Sequence, residues 1–293
     1  MLINYDMPLY RPPSEGNNLI FQVTVGCSFN RCSFCSMYRT KEFSIRPLED
    51  VLAEINRVSR RLPGVSRIFL ADGDALAAST SHLVHILEAL QSAFPALERV
   101  SSYALPTNLR KKSLEELTTL REHKLSLLYY GIETGSADLL KKITKGATPS
   151  VMIEGLRKAK QAGLGISATA ILGLGGKAYW REHIDATADL VNQLELDYLS
   201  TLQLGLDPII RDEFYKKFRE PFDPQDDWGV LEEQARLLEQ LDPPAPLVFR
   251  SNHASNALAL AGTLPADKEK LLAAVTLART GRVHLRPMGL RGY

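Results

Sequence analysis

The stretch LIFQVTVGCSFNRCSFC, residues 19–35, decides how this chain is read. Its first seven residues form a short β-branched run that stops at Gly26, which predicts a strand handing over to a loop. In that loop stand Cys27, Cys32 and Cys35, spaced C-x4-C-x2-C, and they are the only cysteines in 293 residues. Crowding all of them into nine residues is the reverse of a dispersed disulfide framework, and it predicts a reducing compartment and a metal site.

Outward from this stretch, strand and helix patterns alternate. Pro47 opens LEDVLAEINRVSRRL, whose Leu48, Val51, Leu52, Ile55, Val58 and Leu62 recur at helical spacing until Pro63 and Gly64 end it. Strand SRIFLADG and helix HLVHILEALQSAF follow, then strand RVSSYAL and helix SLEELTTLREH, then strand LSLLYYGIETG. Helical SADLLKKI and PSVMIEGLRKAKQAG lead to strand GISATAILGLGG, and REHIDATADLVNQL leads to YLSTLQLGL. Six β/α units with short connections predict an α/β fold with a parallel sheet closed or partly closed into a barrel, a TIM-like partial (β/α)6 barrel.

Residues 1–18 are then an N-terminal extension, 19–205 the barrel core and 206–293 a C-terminal extension that completes the barrel mouth. In the last part, DPIIRDEFYKKFREPFDPQDDW reads as a connecting loop, VLEEQARLLEQL as a helix, LVFR as a final short strand and DKEKLLAAVTLART as a last helix. The 35 Lys and Arg against 34 Asp and Glu give a net charge of +1, so no broad attraction to nucleic acid or anionic lipid is expected. The N-terminus lacks the pattern of a signal peptide and no window suits a membrane span, so a cytoplasmic protein is expected.

Three thiolates this close can converge on one small object. A structural zinc wants four ligands, and no fourth Cys or His lies in the loop or shortly after it. A redox CxxC would leave Cys27 unexplained. A four-iron, four-sulfur cluster held by three thiolates keeps one iron open for an amine and carboxylate ligand. Zinc and plain surface thiols remain as alternatives at this point. Arg31 and Lys41 could offset the thiolate charge, and Phe34 could shield a cluster from water.

The residues GCSFNRCSFCSMY resemble the cluster loop of the radical S-adenosylmethionine superfamily, whose commonest signature is C-x3-C-x2-C with an aromatic before the last Cys; the first gap here is one residue longer. After the second strand, Asp72, Gly73 and Asp74 are similar to the segment that contacts the cofactor's methionyl amino group. After the fourth, GIETGS places Glu133 and Ser136 to touch the cofactor. After the fifth, ATAILGLGG resembles the pattern that packs on adenine, with Thr169, Ile171, Gly173 and Gly176 at its positions. The C-terminal stretches ASNALALAGTLPADKEKLL and LRPMGLRGY resemble a subgroup of small bacterial radical enzymes.

The resemblance implies a [4Fe-4S] cluster on Cys27, Cys32 and Cys35, S-adenosylmethionine as cofactor, and a 5'-deoxyadenosyl radical that takes a hydrogen atom from a small-molecule substrate in a lyase, rearrangement or oxidation. A flavodoxin or ferredoxin would supply the electron. A tRNA- or peptide-modifying radical enzyme is the second expectation, and a zinc-bearing binding protein the third. Polar residues at other strand ends are the candidate substrate contacts: Asn108, Gln203, Arg250, Asn252 and Asn256. His253, Tyr103 and Tyr130 are the candidate catalytic groups.

Overall fold

The computed structural model describes residues 3–292. Among them, eight strands form one sheet and two form a separate short ribbon. The sheet strands are β1 (Leu19–Gln22), β4 (Arg67–Ala71), β5 (Arg99–Ala104), β6 (Leu125–Glu133), β7 (Gly165–Leu172), β8 (Tyr198–Gln203), β9 (Leu247–Ser251) and β10 (Leu260–Leu264), in the order β1-β4-β5-β6-β7-β8-β9-β10. The ribbon pairs β2 (Thr24–Val25) with β3 (Ser44–Ile45). Ladders are parallel for β1 with β4, β4 with β5, β5 with β6, β7 with β8 and β8 with β9, and antiparallel for β9 with β10. The fold is α/β with a mostly parallel sheet, as the alternating pattern requires, because parallel neighbours need helical crossovers.

The chain divides into two compact units. The first comprises Met1–Asn30, Met37–Tyr130 and Lys158–Ile166. Its helices α1 (Leu48–Ser59), α2 (Thr80–Ala93), α3 (Pro106–Lys111) and α4 (Leu114–Glu122) alternate with strands. Local chemistry sets their starts. Ser79 Oγ accepts the His82 N–H at 3.1 Å to open α2, and Ser113 and Glu116 form a reciprocal capping box at 3.1 and 2.9 Å to open α4. One sheet face carries Ile20, Phe69, Ala71, Leu127 and Tyr129, packed by Tyr5, Leu9 and Tyr103. Buried Glu15 accepts from Arg99 at 2.9 Å and from the Tyr129 hydroxyl at 2.6 Å, so the N-terminal segment is bonded into this unit.

The second unit comprises Arg31–Ser36, Gly131–Arg157 and Ser167–Tyr293. It holds helices α5 (Ala137–Lys142), α7 (Gly176–Asn192), α8 (Pro208–Phe218), α9 (Asp227–Gln240) and α10 (Lys268–Arg279), while α6 (Pro149–Gln161) runs from this unit into residues of the first. Two expectations for the C-terminal part need correction. The stretch expected to be a loop contains α8, opened by Asp207 and Pro208 and buried through Ile210, Phe214 and Phe218. That i, i+4, i+8 stripe was hidden by the charged and Pro-rich residues around it. The strand read as LVFR is β9, which joins the main sheet parallel to β8, and β10 follows it although the sequence reading had no strand there.

Candidate active site

In the first unit, the strand-to-loop passage is held by one buried carboxylate. Asp72 Oδ2 accepts from the Gly26 N–H at 3.2 Å, from Gln22 Nε2 at 3.2 Å and from Lys41 Nζ at 2.7 Å. Gly26 has φ of +72°, a turn that only glycine makes without strain, and it sets the direction in which Cys27 leaves the strand. Lys41, expected to offset the thiolates, is thus paired with Asp72 and lies 3.3 Å from Asp6. The Asn30 N–H points at the Cys27 sulfur at 3.5 Å, a long bond to a weak acceptor.

Beside Asp72, Gly73 admits the ring of Tyr38; a Cβ there would stand 2.5 Å from Tyr38 Cε2. Asp74 is fully buried and accepts from Ser28 through Oδ2. Burial pushes its carboxyl up, against the lowering effect of bonds from Ser28 and Asn108. Asn108 also accepts the Leu105 N–H at 2.6 Å at the start of α3, so its amide serves the fold of this corner. The Oδ1 atoms of both Asp72 and Asp74 are buried with no hydrogen-bond partner. Two orphaned carboxylate oxygens on consecutive even positions after one strand fit a ligand ammonium group.

In the second unit, Cys32 and Cys35 close a turn, with the Cys35 N–H on the Cys32 carbonyl at 3.1 Å and the Ser33 N–H on the Ile143 carbonyl at 2.9 Å. The cation that senses these thiols is Lys145, which the sequence reading did not single out. Its Nζ is 2.7 Å from Glu133 Oε1, and both residues are buried. Burial alone would lower the Lys145 ammonium, but Glu133 and then the Cys32 and Cys35 thiolates outweigh it and hold it above its usual range. Glu133 reaches this position with φ of +65°. Gly131 leaves the room: a Cβ there would sit 1.9 Å from Glu133 Oε1 and 2.9 Å from Lys145 Nζ. Among the described residues no Cys is in a disulfide, Phe34 is half-buried and Arg31 is exposed.

Other predicted residues of this unit take distinct places. Ser136 caps α5 through the Leu139 N–H at 3.3 Å and donates to Glu182 at 2.6 Å. Gly173 donates its N–H to Glu233 Oε2 at 2.6 Å, with φ of +79°. Glu233, on α9, is fully buried; burial pushes its carboxyl up to about 7 despite the bonds from Gly173 and Gln225. Gly176 at φ of +54° lies where a Cβ would meet the Asp223 carbonyl at 2.7 Å. His183, also missed from sequence, bridges Thr134 Oγ1 and the Ile171 carbonyl, each at 2.8 Å, and burial pushes it down to about 4, so it stays neutral.

Strand register sorts the remaining candidates. Thr169 and Ile171 on β7 pair with Ser200 and Leu202 on β8, and Ser200 pairs with Arg250 on β9, so these five share one sheet face. Gln203 pairs with Leu172 and lies on the other face, where Nε2 donates to Asp227 at 3.3 Å. Asn256 accepts the Gln203 N–H at 2.7 Å and donates to the Thr201 carbonyl at 2.7 Å, standing in for a strand partner. Its Nδ2 also reaches Ser251 Oγ at 3.0 Å, which fills its hydrogen-bonding capacity with protein.

His253 accepts the Ser255 N–H on Nδ1 at 3.2 Å, which assigns its proton to Nε2. Burial and Arg286 push it below its usual range. Asn252 is exposed. In the first unit, Tyr103 lies edge-on to Phe69 at 5.2 Å and shares its face with Tyr129, whereas Tyr130 pairs with Ala104 on the opposite face and is fully buried. The structure therefore does not bring Tyr130 and Gln203 to the faces that carry Tyr103 and Ile171.

Among the described residues, no three His, Cys, Asp or Glu side chains are gathered tightly enough to hold one metal ion, and no helix is long and apolar enough to cross a membrane. The sequence model of the Radical SAM superfamily matches residues 21–191, more than half of the chain. An uncharacterized methyltransferase of Pyrococcus horikoshii is 27% identical over 204 residues, 67% of this chain and 41% of that protein. The heme chaperone HemW of Bacillus subtilis is 24% identical over 184 residues, 62% of this chain and 47% of its own length. This chain thus spans less than half the length of either relative. Among solved structures, the coproporphyrinogen III oxidase HemN of Escherichia coli, a radical SAM enzyme, superposes with a TM-score of 0.57 at 18% identity over 76% of this chain and 52% of that one.

Proposed function

Because the chain belongs to the radical S-adenosylmethionine superfamily, whose members use a [4Fe-4S] cluster and S-adenosylmethionine, we propose that Cys27, Cys32 and Cys35 hold that cluster and that the chain turns the cofactor's radical chemistry on a small-molecule substrate. The observation that carries this reading is the loop itself: three thiols in nine residues. Three sulfurs would leave one iron of such a cluster open, and the orphaned Oδ1 atoms of Asp72 and Asp74 suit the ammonium of a methionine-type ligand. When bound, and given an electron by a flavodoxin- or ferredoxin-type donor, the two cofactors would supply one-electron cleavage of a carbon–sulfur bond and a carbon radical able to take hydrogen from substrate.

The protein's own residues bind, orient and exclude water. Asp72 fixes the exit of Cys27 through Gly26, and Lys145 offsets the negative charge of Cys32 and Cys35 while paired with Glu133. Ile171 and Gly173 offer an apolar, close-approach surface for a nucleoside, with the Gly173 turn held by Glu233. Holding reactants in register on rigid strands is where such an enzyme gains rate. The net charge of +1 gives no broad attraction to a polyanionic substrate such as tRNA, which favours a small molecule over the second reading.

Anaerobic reconstitution tests the proposal. About four irons and four sulfides per chain, a reduced-cluster paramagnetic signal that changes when S-adenosylmethionine is added, and 5'-deoxyadenosine on reduction are expected. Replacing any of the three cysteines by alanine should abolish all three readouts. Stoichiometric zinc without iron or sulfide in anaerobically isolated protein would sink it.

A further inference from the structure

Three polar side chains stand in one row across the second unit. Thr169 of β7 is the Cα partner of Ser200 of β8, and Ser200 is the Cα partner of Arg250 of β9. Directly opposed residues of adjacent strands project to the same face, so two hydroxyl side chains and one guanidinium side chain leave three neighbouring strands on one face. They share that face with Ile171, one row nearer the carboxyl ends of the strands, since Ile171 pairs with Leu202. All three are only half-buried.

The opposite face is occupied. There Leu199, Thr201, Phe249 and Ser251 are buried, and Gln234 of α9 reaches Ser251 Oγ at 2.6 Å.

The guanidinium is oriented but not neutralised. Arg250 Nη1 donates to the Phe249 carbonyl at 2.8 Å and to the Gly262 carbonyl at 3.1 Å. Those two bonds fix the plane of the fork, while Nε and Nη2, the edge that engages a carboxylate with two parallel bonds, are left for another partner. Among the described residues no carboxylate pairs with it. Elsewhere in this unit, Arg236 is paired with Asp185 and Arg291 with Asp227. An oriented cation with no carboxylate partner among the described residues, on the sheet face that also carries two hydroxyls and Ile171, has the chemistry of an anion subsite. A single guanidinium balances one negative charge, which matches a carboxylate better than a phosphate dianion.

We propose that Arg250, with Ser200 and Thr169, anchors a carboxylate of the substrate, so that this enzyme acts on a small organic acid. This rests on the radical-enzyme reading above and adds the substrate class to it. The carboxylate lies one row deeper along the strands than the position of Ile171, leaving the acid's remaining carbons to extend toward the carboxyl ends.

Binding to the anaerobically reconstituted protein provides the test, measured by calorimetry with small carboxylic acids from propionate to adipate, their primary amides, and inorganic phosphate as probes. At least one acid should bind saturably while its amide does not. Arg250→Gln should weaken that binding by roughly 10- to 100-fold, Arg250→Lys should restore part of it, and Ser200→Ala should weaken it less. Circular dichroism and the thermal midpoint establish that each variant is folded. Equal binding of acid and amide, binding of phosphate alone, unchanged acid binding by folded Arg250→Gln, or no saturable acid at all would overturn the proposal. The two readings separate cleanly. If wild-type protein forms no 5'-deoxyadenosine on reduction, the radical reading fails whatever the acids do, and if it does form it but binds no acid, only the carboxylate subsite fails.

Discussion

Glu233 is the residue whose charge state has the clearest consequence for stability. Its carboxyl ordinarily titrates near 4.5, and burial raises it to about 7 in the fold. A raised acid pKa means that the folded chain keeps a proton the unfolded chain has released, so stability falls as pH rises through the window from about 4.5 to 7 and stays lower above it. The difference corresponds to about 3 kcal/mol. Glu233→Gln removes that titration while keeping an acceptor for the Gly173 N–H. The variant should therefore gain stability relative to wild type at pH 8 compared with pH 5, read from denaturant midpoints at both values; a pH-independent difference would contradict the assignment. Lys145 gives a second prediction. Lys145→Met leaves Glu133 buried without its cation and should cost about 3–5 kcal/mol, whereas Lys145→Met with Glu133→Leu should recover most of it. Thermal or chemical unfolding of the iron-free protein reports both, and a double variant no better than the single one would show that the pair is not coupled. Of the two residues, only Glu133 was legible from sequence. Lys145 follows α5 as one lysine among several, and nothing in its spacing announces that the chain folds it back over Gly131.

At the scale of elements, the parallel ladder between β8 and β9 ends at the Ser200–Arg250 pair, and Asn256 carries it onward with side-chain atoms. Asn256→Ala would leave the Gln203 N–H and the Thr201 carbonyl unpaired in a buried setting, at a cost of about 2 kcal/mol. The expected signature is a lower denaturant midpoint with unchanged slope, together with faster hydrogen exchange at Gln203; unaltered exchange there would remove the bridging role. The element reading from sequence was good where periodicity was long and bounded, as for α1, α2 and the six strands from β1 to β8 that carry the β/α units. It failed where the signal was short or mixed. Helix α3 is six residues opened by Pro106, α8 is embedded in charged and Pro-rich sequence, and β10 includes Gly262 opposite Phe249, which weakens a strand pattern. The sides of the sheet were even less accessible. Gln203 and Tyr130 sit at strand ends with polar tips, but a shift of one residue in pairing exchanges the two faces of a strand, and only the ladders with β7 and β5 assign them.

For the molecule as a whole, cluster binding is linked to folding, because the thiolates gather on the metal only in the folded chain. Iron-loaded protein should therefore melt above the same protein stripped by an anaerobic chelator. Each kcal/mol of linkage moves the midpoint by about 2–4 °C for a chain of this size or slightly smaller, and Cys32→Ser should erase the gap. Identical midpoints for loaded and stripped protein would argue against specific loading. What the sequence determined alone was whatever is local along the chain: an α/β alternation written in 2- and 3.6-residue periods, and a cysteine loop whose three ligands are adjacent in covalent order. What the tertiary structure decided was whatever depends on distant segments meeting. The Lys145–Glu133 pair, the Glu233 bond to Gly173 across 60 positions and the row of Thr169, Ser200 and Arg250 exist because strand register and helix return set which side chains become neighbours. Those contacts are fixed by packing and pairing between elements, and no short window of residues contains them.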